Sequence, residues 1–140
     1  MTWTRPLLVA EAALTLVAMQ AALNLVPFPR LARRWGRFVT ADEGRALRAT
    51  PATREAALAA EVGWAVGRAA RHLPLRLLCL SQALAARRML ERRRVASVLH
   101  FGVAHRPLRP FDAHAWVNAG GVKVIGYPVA AACVEIGRFV

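Results

Sequence analysis

A chain of 140 residues that is 56% hydrophobic has the length and apolar content for one domain with a core, which excludes a disordered chain and a disulfide-stapled miniprotein. Its formal net charge is +12, with nineteen arginines and one lysine against eight carboxylates, so its surface attracts acidic groups, whether nucleic acid, anionic lipid or acidic protein. Two cysteines give no disulfide framework and fit a reducing cytoplasm, and His72, His100, His105 and His114 lack HxxxH or CxxC spacing, so no metal site is expected.

Residues Leu7 to Val26 form an apolar run long enough, at about 1.5 Å per residue, to cross a bilayer core of roughly 30 Å. Glu11, Gln20 and Asn24 interrupt it on different sides, so a buried core helix is expected and stable membrane anchoring is not. Arg5 resembles the start of a signal peptide, but no small-x-small cleavage site follows and Pro27-Phe28-Pro29 ends the run, so export is not expected. Arg30, Arg33, Arg34 and Arg37 around Leu31 and Trp35 read as a basic turn or short amphipathic helix. Thr40 suits the cap of a helix with Asp42 and Glu43 in its first turn, so a short helix or a loop is expected from Thr40 to Thr50.

From Pro51 to Arg71, Leu58, Val62, Ala65 and Ala69 recur at helical spacing, and Gly63 and Gly67 allow close packing of that helix. Leu73-Pro74 punctuates, and a third helix is expected from Pro74 to about Arg92. Arg87, Arg88, Arg92, Arg93 and Arg94 at its end complement the helix dipole, read as a solvated helix end, and could dock an acidic partner; without interleaved aromatics they do not suggest nucleic acid. After Arg94 the period changes to two, predicting strands at 98–103, Phe111–Asn118, Val122–Tyr127 and Ala132–Val140, with Gly120-Gly121 at a turn. Helices followed by short antiparallel strands make an α+β domain, residues 1–72 helical and 73–140 holding one further helix and the sheet.

Cysteine-based peptide hydrolysis needs a thiolate, an imidazole and donors for an oxyanion. Cys79 lies near the start of the third helix, where unpaired N–H groups favour a thiolate, provided that the regular helix starts near Cys79 itself. Period two places Asp112, His114, Trp116 and Asn118 on one strand face and Ala113, Ala115 and Val117 on the other. Small residues on that second face allow the strand to lie tightly against the helix that bears Cys79.

The segments Leu73-Pro-Leu-Arg-Leu-Leu-Cys79-Leu-Ser-Gln-Ala-Leu, Val98-Leu-His-Phe-Gly-Val-Ala and His114-Ala-Trp-Val-Asn-Ala-Gly-Gly resemble the transglutaminase-like lasso-peptide biosynthesis B proteins, in the short form that lacks a fused leader-recognition domain. The resemblance spans essentially the whole chain, including the N-terminal apolar helix that ends in Val-Pro-Phe-Pro-Arg-Leu-Ala-Arg. It implies a single transglutaminase-like or papain-like cysteine protease core over residues 1–140. The implied activity is a cytoplasmic leader peptidase of ribosomally made, post-translationally modified peptides. Cys79 and His114 are the implied catalytic pair, and no cofactor is needed. It implies three partners: the lasso precursor peptide, a separate leader-recognition protein and the ATP-dependent lasso cyclase; nucleic acid is not among them.

The family's third member is an aspartate twelve residues after the histidine, where this chain has Gly126. A three-residue turn would set Gly126 opposite His114, and a two-residue turn would set Tyr127 there. Asp112 shares the face of His114 and is the candidate third member, although two residues along a strand span roughly 6 to 7 Å. Glu61, Glu135 or a backbone partner are alternatives, and Gln82, one turn from Cys79, is a candidate for orienting substrate or His114. Two other functions share these features: an acyl transferase of the transglutaminase type, and a noncatalytic membrane-associated binding protein.

Overall fold

The apolar run folds as helix α1 (Thr4–Leu25), the alanine-rich stretch as α2 (Thr53–His72) and the leucine- and alanine-rich segment as α3 (Cys79–Arg92). Past Arg94 the chain forms β2 (Val98–Arg106), β3 (Arg109–Ala119), β4 (Val122–Ile125) and β5 (Cys133–Phe139), while β1 (Phe38–Thr40) lies between the first two helices. The computed structural model describes residues 4–27, 30, 33, 38–40, 53–73, 79–106, 109–119, 122–127 and 133–139; the side chains of 4, 38–40, 53, 104–106 and 109–113 are outside that description.

The strands make one antiparallel sheet in the order β1-β5-β2-β3-β4, and the architecture is α+β as the change of period implied. Strand β1 was not legible in the sequence. Thr40, expected to cap a helix, instead ends this strand opposite Gly137, because β5 offers it a ladder from far along the chain. Residues 41–52 and most of 28–37, with their expected basic turn and short helix, lie outside the described residues.

Helix α3 is central. Ser81, Ala83, Leu84, Ala85, Ala86, Met89 and Leu90 are all buried, with α1 and α2 packed on it from one side and β3 from the other. Small alanines bring these elements close, and the larger side chains Leu16, Met89, Leu90 and Leu99, each fully buried, contribute about 1.5–3 kcal/mol apiece. At Gly63 the approach is closer still: a Cβ there would lie 2.1 Å from the Val124 carbonyl oxygen. The expected close packing is therefore of helix on strand; at Gly67 there is open space.

Helix α1 departs from the expected core helix. One stripe, Ala12, Thr15 and Leu16, is buried against α2 and α3, yet Leu7, Leu14, Val17 and Leu25 are exposed. By length and composition Arg5–Leu25 suffices to cross a membrane, with a mean hydropathy of 1.7. The interrupting Glu11 holds the helix to the body: Arg93 donates to its two oxygens at 2.9 and 2.7 Å and Arg92 to one at 3.1 Å. The Arg93 hydrogen bond, chief among these effects, holds the Glu11 carboxyl below its ordinary value.

The arginine cluster is thus not simply a solvated helix end. Arg87 is buried and donates to the Phe139 carbonyl at 3.1 Å, its burial lowering its pKa, and Arg92 and Arg93 are committed to Glu11. Past Arg92 the helix closes with the Arg94 N–H on the Glu91 carbonyl and the Val95 N–H on the Leu90 carbonyl. This Schellman closure places Arg94 at φ 57°, a left-handed conformation usually given to glycine.

Candidate active site

The described part of helix α3 runs from Cys79, and residues 74–78, on which its expected start at Pro74 falls, lie outside the described ones. Cys79 is half-buried at the edge of the core.

From Arg92 back to Cys79 the helix rises about 20 Å, while β2 climbs about 13 Å from Val98, opposite Asn118, to Gly102, opposite His114. The helix packs on β3, so its N-terminus returns toward the His114 end of that strand. Both residues therefore lie toward the same end of β3, Cys79 on a helix packed against its Ala115 and Val117 face and His114 on the opposite face of that strand.

On β3 the expected alternation holds: Ala115, Val117 and Ala119 are buried in the core, while His114, Trp116 and Asn118 belong to the other face. His114 Nε2 donates to the Gly126 carbonyl oxygen at 2.7 Å. This contact spans the twelve-residue separation at which the resemblance calls for an aspartate, but the acceptor is a backbone oxygen. With the proton on Nε2, the lone pair is on Nδ1.

The turn explains how this comes about. Ala119 pairs with Val122, so the connection is two residues, and the register slips once more between Val117 and Asn118. Gly126 consequently lies past the end of β4 against the backbone of Ala115 and Trp116, rather than directly opposite His114. Its φ is +91°, and a Cβ there would fall 2.6 Å from the Ala115 oxygen and 2.7 Å from the Trp116 Cβ. No side chain fits, hence no carboxylate.

Trp116 stacks on His114 with ring centroids 5.8 Å apart. Its other imidazole neighbour is His100 of β2, 5.5 Å away and nearly parallel at 6°. His100 Nδ1 donates to Glu135 at 2.5 Å, and Nε2 meets the side-chain amide of Asn118. Glu135 is gripped by Arg138 through two hydrogen bonds of 2.9 and 2.7 Å. Gly102 leaves room between these groups, for the position of its absent Cβ is 2.7 Å from the Cys133 sulfur and 2.9 Å from the Trp116 ring. Tyr127 follows Gly126, and burial together with the negative charge of Glu135 raises its phenol pKa.

Among the alternative third members, Glu135 serves His100 rather than His114. Glu61 lies on α2 where its charge acts on Arg93, at the opposite end of α3 from Cys79. Asp112 falls opposite Ala104 on β3, and its side chain is outside the described residues. Gln82 is half-buried one turn along α3 from Cys79 and makes an interaction of its own. Sequence reasoning did not single out His100; the only signal was its place in an alternating strand, since its partners are 18 and 35 residues away.

A model of the transglutaminase-like superfamily matches residues 22–135, most of the chain. No curated protein and no solved structure matches at a significant level.

Proposed function

The chain belongs to the transglutaminase-like superfamily, and from that premise we propose that it is a cysteine protease that removes the leader from a lasso-peptide precursor, with Cys79 as nucleophile and His114 as base. The observation that carries the reading is the hydrogen bond from His114 Nε2 to the Gly126 carbonyl, which reserves Nδ1 for a thiol proton.

In the proposed reaction Nδ1 takes the Cys79 proton as sulfur attacks the carbonyl carbon at the leader's end. The carbonyl electrons move to oxygen, which in this proposal backbone N–H groups beside Cys79 receive. Collapse of this intermediate breaks the C–N bond, and the imidazolium gives its proton to the departing amine. Water, deprotonated by His114, then attacks the thioester and releases the leader's new carboxylate and the thiol. A neutral carbonyl orients the imidazole but stabilises its charged form less than a carboxylate does. The arrangement therefore works with positioning as its chief resource.

The precursor, a separate leader-recognition protein that delivers it, and the ATP-dependent cyclase that receives the freed core are the partners proposed, in the cytoplasm. Incubating the chain with precursor and leader-recognition protein tests this by mass spectrometry: wild type releases an intact leader and Cys79→Ala does not. Release by Cys79→Ala would overturn the assignment. Incorporation of an added amine at the cleaved carbonyl, in place of hydrolysis, would instead identify the acyl transferase that the superfamily also accommodates.

A further inference from the structure

His100 is only 7% exposed, and both of its ring nitrogens are engaged, Nδ1 by the Glu135 carboxylate and Nε2 by the Asn118 amide. An imidazole so committed does not exchange protons with a substrate. What it does control is the indole beside it: the ring of His100 is nearly parallel to that of Trp116, and Trp116 lies against His114. The chain of contacts runs Arg138, Glu135, His100, Trp116, His114, crossing from β5 through β2 to β3.

His114 has a specific need for such support. Among the described residues its one hydrogen bond goes to an uncharged carbonyl, and a ring held at one atom can still swing about that contact. The indole supplies a second, planar constraint. A ring-stacking contact holds only as firmly as the indole is itself held, and here the indole is backed by an imidazole fixed at one nitrogen by the Asn118 amide and at the other by a carboxylate that two guanidinium bonds fix in turn. Functional side chains depend on such support for their geometry.

We propose that His100 is a positioning residue for His114, acting through Trp116 and anchored by Glu135, Asn118 and Arg138; this rests on the reading of His114 as the base for Cys79. The arrangement substitutes packing for the charge that an aspartate would supply.

The test compares wild type, His114→Ala, His100→Gln and the double variant Glu135→Leu/Arg138→Leu, in the full chain. The double variant removes carboxylate and guanidinium together, so neither charge is left buried without its partner. Two readouts are taken on protein shown by circular dichroism to be folded. One is the rate of Cys79 alkylation by iodoacetamide at pH 7, resolved from Cys133 by peptide mapping; the other is kcat and KM for precursor cleavage with the leader-recognition protein present.

His100→Gln and the double variant are each expected to slow alkylation and to lower kcat about tenfold, with KM changed less than twofold. His114→Ala is expected to lower both far more. If either His100→Gln or, where that variant does not fold, the double variant keeps wild-type alkylation and kcat, the positioning role is overturned while the catalytic pair stands. If His114→Ala itself leaves alkylation and kcat unchanged, the catalytic reading fails and the positioning role with it.

Discussion

The two faces of β3 are made by one stretch of chain. Ala115, Val117 and Ala119 turn toward the helices and are at most 1% exposed, packed among Leu99, Met89 and Leu90. His114, Trp116 and Asn118 turn the other way and meet a backbone carbonyl, two imidazoles and a carboxylate's network. The first face requires only volume and apolarity, which several side chains could supply. The second requires particular atoms at particular places, and its partners come from β2, β5 and the residues after β4. Stability and chemistry can therefore be damaged separately.

The sharpest break is on the second face. His114→Ala is expected to reduce kcat/KM for leader removal by at least about 10³-fold, equivalent to about 4 kcal/mol of transition-state stabilisation, while moving the thermal midpoint little. Leader release followed by mass spectrometry alongside a melting curve checks both halves. The mirror experiment on the first face is Leu99→Ala, which empties a fully buried position. Denaturant unfolding should show a loss of about 2–5 kcal/mol, with cleavage per folded molecule close to wild type.

Gly126 joins the two faces, since its backbone serves the site and its missing side chain serves the packing. Gly126→Asp restores the carboxylate that the resemblance calls for, but a Cβ at φ +91° meets Ala115 and Trp116. Expected is a destabilisation of about 1–3 kcal/mol together with lower, not higher, cleavage activity, measured by unfolding and by leader release. A gain of activity would show that the carbonyl is a poor substitute which the fold does not enforce.

Two smaller effects lie away from the sheet and delimit the comparison. Glu11→Gln should cost about 1 kcal/mol at neutral pH by weakening the bond from α1 to Arg92 and Arg93. Because the folded carboxyl sits below its ordinary 4.5, this contribution is complete above that value and disappears as pH falls through the folded pKa. Stability curves of the two proteins should accordingly converge in acid. Arg94→Gly relieves the left-handed backbone at φ 57° and should stabilise by about 0.5–1 kcal/mol in denaturant unfolding, without touching activity.

Much of this was legible in the sequence because it is local. Periodicity gave three helices and the four strands after Arg94 to within a few residues, and alternation assigned His114 and Ala115 to opposite faces. The pair Cys79 and His114 was named from residue type and resemblance. Strand β1 was not legible, since three residues carry no period and this strand exists only by pairing with β5. The exposed apolar side of α1 was also missed, because hydropathy alone does not tell which stripe of an all-apolar helix finds a partner.

The sequence by itself therefore determined the order of the three helices and of the four strands after Arg94 and with it the α+β class, all set by chemistry within a turn or a strand, while resemblance added the candidate nucleophile and base. Only the tertiary structure decided that a glycine carbonyl holds His114, that Glu135 serves His100 instead, and that a tryptophan lies against both histidines. Those outcomes depend on one slip of register between β3 and β4 and on β5 settling beside β2. Register is fixed by the packing of the whole sheet, and a shift of one residue changes every cross-strand neighbour.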